Sequence, residues 1–277
     1  RIFARVKIDF EGLENIPRQE NVIFAMNHTD RFNYWPFQYG LRQLREYPYS
    51  SVWVKAKYYQ NAFLAWGLNR CHLIPVPSMG YLMEEIFRQK LKRKMEKSEY
   101  RFFKDMIDLR MGGEDYPQKI KETVEQLGDA FFEKVRNCYD EVMAHVGVLS
   151  RKALFEAGLN LIVFPEGTRS RFFGEGKTGL AQLALHTRKK VVPVGCNNSD
   201  EVYRGNLPFA SSGRVVYRIG TPLTWEEHFR DCRIEEDFAL LSRESQGRYR
   251  EKFVQATEII MKSIDNLLDD KYRSSPA

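Results

Sequence analysis

Hydrophobic and polar positions along the chain follow two rhythms. Short, nearly unbroken apolar runs stand at Val22–Met26, Ser51–Val54, Leu73–Val76, Leu159–Phe164 and Val191–Val194, each bounded by polar or turn-forming residues. Runs of that length read as buried strands. Arg214–Ile219 alternates apolar with polar, as a strand with one covered face does. Between these runs the apolar spacing stretches to three and four residues. Such spacing predicts a helix carrying Tyr34, Trp35, Phe37, Leu41 and Leu44, another over 150–157 stopped by Gly158, and a third over 178–188. From Thr224 onward the pattern is helical, with Phe253, Ala256, Ile259, Ile260, Ile264 and Leu267 on one face. Strands alternating with helices predict an α/β chain whose sheet is covered by helices.

Residues 80–146 interrupt this order. They are rich in Lys, Arg, Glu, Met and Phe and poor in strand formers, with one clear breaker at Met111–Pro117. The expectation is a helical insertion of two helices within a single domain spanning 1–277. In the second helix Ile120, Val124, Leu127, Phe131, Val135 and Val142 form an apolar stripe. Residues 84–104 mix eight cations with Ile86, Phe87, Leu91, Met95, Phe102 and Phe103. Two readings are open: a basic amphipathic helix lying on an anionic membrane, or a solvated charged face whose apolar side packs on the domain.

Composition narrows the partner classes. The 277 residues are 43% hydrophobic and 29% charged, which supports a folded domain rather than a disordered chain. Lys and Arg number 43 against 37 acids, a surplus of +6 that suits anionic lipid or phosphorylated substrates. No RNA-binding signature, zinc-finger spacing or arginine-rich arm is present, so nucleic acid is not an expected partner. Cys71, Cys138, Cys196 and Cys232 are too far apart for a metal site or a dense disulfide framework, which favours a reducing compartment. No apolar stretch approaches the roughly 18 residues of a spanning helix. The expected location is the cytoplasmic face of a membrane, held peripherally or by an anchor in a segment absent from this chain.

Two polar segments sit where α/β folds place reactive groups, just after buried strands. The first is Asn27-His28-Thr29-Asp30-Arg31-Phe32-Asn33. Neutral imidazole is the side chain best suited to take a hydroxyl proton near pH 7, and it needs a partner on its other nitrogen. Asp30 and Asn33 are the local candidates for that partner. The alternative is that His28 caps a helix or satisfies a buried carbonyl. The second segment is Phe164-Pro165-Glu166-Gly167-Thr168-Arg169-Ser170. Gly167 permits close backbone approach, Arg169 offers a planar fork for phosphate oxygens, and Thr168 and Ser170 add hydroxyls. Such a loop can hold an anion, or it is a turn with a surface ion pair.

Together the two segments resemble the PlsC-type glycerolipid acyltransferases, also called 1-acylglycerol-3-phosphate or lysophospholipid acyltransferases. Residues 164–170 match that family's Phe-Pro-Glu-Gly-Thr-Arg-Ser block at every position. Val191–Val194, Lys55-Ala56-Lys57 and Lys177-Thr178-Gly179 fall where the family has related segments, so the resemblance spans about 20–80 and 150–225. It implies a glycerol-3-phosphate (1)-acyltransferase-like fold, a mixed sheet flanked by helices. It also implies that His28, supported by Asn33 or Asp30, removes the proton from an acceptor hydroxyl. That hydroxyl attacks the thioester of acyl-CoA or acyl-carrier protein, with no cofactor, no metal and no acyl-enzyme. Glu166, Gly167, Thr168, Arg169, Ser170 and Lys57 are then the substrate-binding residues. The expected partners are a lysolipid acceptor, the acyl thioester donor and a membrane surface. Two departures stand out. The family's Asp, five positions after the histidine, is Asn33 here, which leaves open a catalytically impaired lipid-binding homologue. The arginine ending the second block is replaced at Pro77-Ser78, so Lys57, Arg31 or Arg88 would have to supply that charge. An acceptor other than lysophosphatidate, such as an aminolipid, is therefore also consistent.

Overall fold

The computed structural model describes residues 5–56, 72–107, 117–128, 130–205 and 209–273. Its strands are β1 (Val6–Glu11), β2 (Ile23–Met26), β3 (Ser50–Lys55), β4 (Ile74–Val76), β5 (Asn160–Val163), β6 (Val191–Asn197) and β7 (Gly213–Ile219). They form one sheet in the order β1-β7-β6-β2-β5-β3-β4. β2 runs parallel to both neighbours, with Ala25 opposite Val163 of β5 and Pro193 of β6. β7 runs antiparallel to β6 and parallel to β1. The sheet is therefore mixed, as expected from the sequence. Every residue of β2, β5 and β6 is buried, which is why these strands read as continuous apolar runs.

The chain divides into two compact units, one of 1–53, 71–74 and 147–277, the other of 54–70 and 75–146. In the first, helix α1 (Tyr34–Leu44) leaves the end of the β2 loop and packs back on the sheet. Its Phe37 meets Phe24 edge-on at 5.1 Å and Tyr217 at 5.1 Å, joining three fully buried rings. Gly40 lets α1 approach closely, since a Cβ there would lie 2.4 Å from the Phe10 ring. Residues 224–242 are not the expected helix. They form an irregular strap with a single 3-10 turn at Arg230–Cys232, and Ser242 caps the next helix at Ser245 N–H. Trp225, Phe229 and Cys232 are buried along the strap, and so are Ile234 and Phe238, which a helix would turn to its opposite face. The last long helix, Arg250–Asp265, buries Phe253, Ala256, Ile260 and Ile264 as its periodicity required.

The second unit holds α2 (Met79–Leu91), α3 (Lys97–Ile107), α4 (Gln118–Leu127) and most of α5 (Ala130–Arg151). Among the described residues four helices thus stand where the sequence suggested two. Lys92, in the left-handed region at φ 54°, ends α2 without glycine or proline to announce it. Buried Glu99 then starts α3 by accepting the Glu96 N–H at 2.8 Å while pairing with both terminal nitrogens of Arg93 at 2.9 and 2.7 Å. Gly128 at φ 66° separates α4 from α5. Phe87, Phe102, Phe103 and Phe131 are buried in this unit's own core, with Phe103 5.9 Å from Phe131. The apolar side of 84–104 is packed inside its unit. The alternative that set its aromatics in a headgroup layer is overturned.

Candidate active site

Because β2 and β5 are parallel neighbours, their C-terminal ends emerge side by side, and both polar segments leave the same sheet edge. Sequence separation is thereby cancelled: His28 N–H donates to Glu166 Oε2 at 2.7 Å, and Ser170 N–H donates to the His28 carbonyl at 3.0 Å. The imidazole lies over the Phe164 ring, centroids 4.2 Å apart and planes at 19°. A half-buried histidine is thus held by its backbone on one side and by a flat apolar ring on the other.

Glu166 is the tie between the two loops. Its side chain is buried at 4% exposure, and its second oxygen accepts the Gly174 N–H at 3.3 Å. Burial raises its pKa to about 7, against the opposing pull of the His28 and Gly174 N–H groups. Gly167 sits at φ +68°, a conformation that disfavours any Cβ, and Gly167 N–H bonds the Phe164 carbonyl at 3.1 Å to close the turn. Lys177 N–H bonds the Pro165 carbonyl at 2.7 Å and draws the far end of the loop back. The turn leaves Thr168, Arg169 and Ser170 exposed, available to an anion arriving from solvent.

Asn33 and Asp30 have different surroundings. Asn33 is fully buried and donates its amide N–H to the Asn27 carbonyl at 2.8 Å. Its Oδ1 has no hydrogen-bond partner among the described residues. Asp30 Oδ1 accepts the Phe32 N–H at 2.7 Å, closing an Asx turn, and Thr29 Oγ1 donates to Oδ2 at 3.3 Å. Burial raises the Asp30 pKa, opposed by the nearby Ser199 hydroxyl and these two donors. Lys57 lies outside the described residues.

Two contributors were not singled out from the sequence. Asn27 clamps the loop to β6, donating to the Cys196 carbonyl at 3.0 Å and accepting the Cys196 N–H at 2.7 Å. Phe164 supplies the ring under the imidazole. Asn27 adjoined the histidine in the motif, so its position carried a signal, whereas the stacking of Phe164 depends on strand register. Among the described residues no cluster of three His, Cys, Asp or Glu side chains is arranged to hold a metal.

Residues 120–197 match the family model described as Acyltransferase, a stretch that includes β5, the whole 164–170 turn and β6. Over that stretch the chain is similar to acyltransferases. The match begins well after His28, and the hydrogen bonds to Glu166 and Ser170 are what attach the histidine loop to the matched segment. Among solved structures the chain is similar to the crystal structure of the 1-acyl-sn-glycerophosphate (LPA) acyltransferase PlsC from Thermotoga maritima. The two share 17% identity over 91% of this chain and 71% of that one, with a TM-score of 0.43. No curated protein matches the chain. No helix among its described residues is long and apolar enough to cross a membrane.

Proposed function

We propose that this chain is an acyltransferase that moves a fatty acyl group from acyl-CoA or acyl-carrier protein to the hydroxyl of a lysophospholipid such as 1-acylglycerol-3-phosphate, at the cytoplasmic face of a membrane in lipid biosynthesis. His28 is the general base. Its imidazole takes the proton of the acceptor hydroxyl as the oxygen attacks the thioester carbonyl. The tetrahedral intermediate then collapses, the carbon–sulfur bond breaks, and the thiol departs with the proton returned by the imidazolium. No bond to the protein forms and no cofactor takes part.

The observation that carries this reading is the double hydrogen bond between the His28 backbone and the 164–170 turn. It fixes the base beside a loop whose exposed Thr168, Arg169 and Ser170 suit the oxygens of an acceptor phosphate. In this reading Glu166 serves chiefly as a buried strut that sets the distance between base and anion loop. Asn33 fixes the loop through Asn27, and in this reading its Oδ1 orients the imidazole. Asp30 shapes the turn between them. The test is mass spectrometry of products from a panel of lysolipids and thioesters, including an aminolipid acceptor, with the natural chain and His28→Ala. Acylated product that disappears in the variant is expected. Equal turnover by the variant would remove His28 from the chemistry, and product on the aminolipid alone would replace the acceptor.

A further inference from the structure

The edge of the sheet that carries His28 also carries large apolar side chains that the fold does not use. Trp35, in the first turn of α1, is 42% exposed, Phe172 in the loop after β5 is 56% exposed, and Phe209 in the loop before β7 is 76% exposed. All three loops belong to one edge. β2, β5 and β6 are parallel and end there, and antiparallel β7 begins there, with Val216 opposite Asn197 at the end of β6. Contacts between the loops agree: Phe32 lies 4.9 Å from Trp35 and 5.7 Å from Tyr203, and Ser211 N–H bonds the Val202 carbonyl at 2.8 Å. Interleaved with these rings are exposed Arg169, Arg171 and Arg204. Acids on the same loops are Glu175, which is exposed, Asp200, which accepts from Tyr272, Glu201, which is held by Lys271, and Asp30 and Glu166, which are buried.

We propose that this rim is the surface by which the enzyme docks on an anionic lipid bilayer, with Trp35, Phe172 and Phe209 entering the headgroup layer and the arginines meeting lipid phosphates. Exposed aromatics alternating with guanidinium groups complement a negatively charged interface, where each ring finds an apolar layer and each cation an anion. Choosing lipid as the occupant rests on the acyl-transfer reading, because an amphiphilic acceptor reaches His28 with least exposure of its chain if the mouth of the site faces the bilayer. The aromatics of 84–104 are unavailable for this purpose, being buried in their own unit.

The experiment is cosedimentation of the full chain with vesicles of phosphatidylcholine containing phosphatidylglycerol. It compares the natural protein with Phe172→Ser/Phe209→Ser, with Arg171→Gln/Arg204→Gln, and with Val254→Ser, an exposed apolar position on the last helix. The ring pair should lower partitioning about tenfold or more. The arginine pair should lower it on anionic vesicles and leave it unchanged on pure phosphatidylcholine, and Val254→Ser should change neither. Circular dichroism confirms that each variant is folded, which exposed positions permit. Absence of vesicle binding by the natural chain, or equal binding by the ring variant, overturns the proposal. A natural chain that self-associates through these rings without binding vesicles overturns it in favour of an interface between copies. Partitioning is read without turnover, so a failure of the acyl-transfer reading appears separately in the product assay.

Discussion

Glu166 offers a test that reads the architecture of the site as a pH dependence. Its carboxyl is buried and accepts two backbone N–H groups, and burial nonetheless lifts its pKa from 4.5 to about 7. At 1.36 kcal/mol per pKa unit, that difference is roughly 3 kcal/mol. The sign follows from proton binding. Between the unfolded and folded pKa values the native state holds more protons than the unfolded chain, so the stabilisation is complete below about pH 4.5 and is lost as pH rises through 7. Glu166→Gln removes the titration and keeps the side-chain shape. Its amide oxygen satisfies one of the two N–H donors, and leaving the other unmet costs about 1–3 kcal/mol at every pH. Chemical denaturation of both proteins from pH 4.5 to 8.5, followed by a probe in the sheet-bearing unit, separates the two effects. The natural protein should be the more stable at low pH, and its advantage should shrink by about 3 kcal/mol between about pH 4.5 and 7 and then level off. Parallel stability profiles across that range would show that the carboxyl is already ionised in the fold, and the burial argument for the loop tie would be wrong.

Other outcomes follow from the same coordinates. His28→Ala should lower acyl transfer by roughly 10²–10⁴-fold, with circular dichroism and melting unchanged, as loss of a general base predicts. Asn33→Asp replaces a buried amide donor with an acceptor facing the Asn27 carbonyl, so stability at pH 8 should fall by about 1–3 kcal/mol in urea titrations. An unaltered midpoint would mean the amide bond to Asn27 contributes nothing. Gly167→Ala puts the new Cβ in ordinary van der Waals contact with Lys177 Cγ at 3.5 Å, so its effect is backbone strain at φ +68°. A loss of about 1–2 kcal/mol is expected by thermal melting, with a smaller loss for Gly167→Asn. Phe103→Ala, fully buried among aromatic rings, should destabilise the helical unit by about 3–5 kcal/mol, seen as selective loss of hydrogen-exchange protection in α2–α5.

The sequence by itself determined the strands and the chemistry of the loops. Val22–Met26, Leu161–Phe164 and Val191–Val194 are apolar without alternation, and only strands covered on both faces need that pattern. The order Phe-Pro-Glu-Gly-Thr-Arg-Ser likewise marked a candidate anion-holding turn, because glycine, hydroxyl and guanidinium types report chemistry locally. Tertiary structure decided what lay beyond local rules. The break at Lys92 depends on buried Glu99 pairing with Arg93, and the irregular strap over 224–242 depends on where Trp225, Phe229 and Ile234 find the core. Periodicity records neither, since both are set by distant partners. Most of all, it took the parallel register of β2 and β5 to bring Glu166 to the His28 N–H as its acceptor. Hydrogen bonds between loops are fixed by which strands are neighbours, and strand order is a property of the packed sheet rather than of any segment in it.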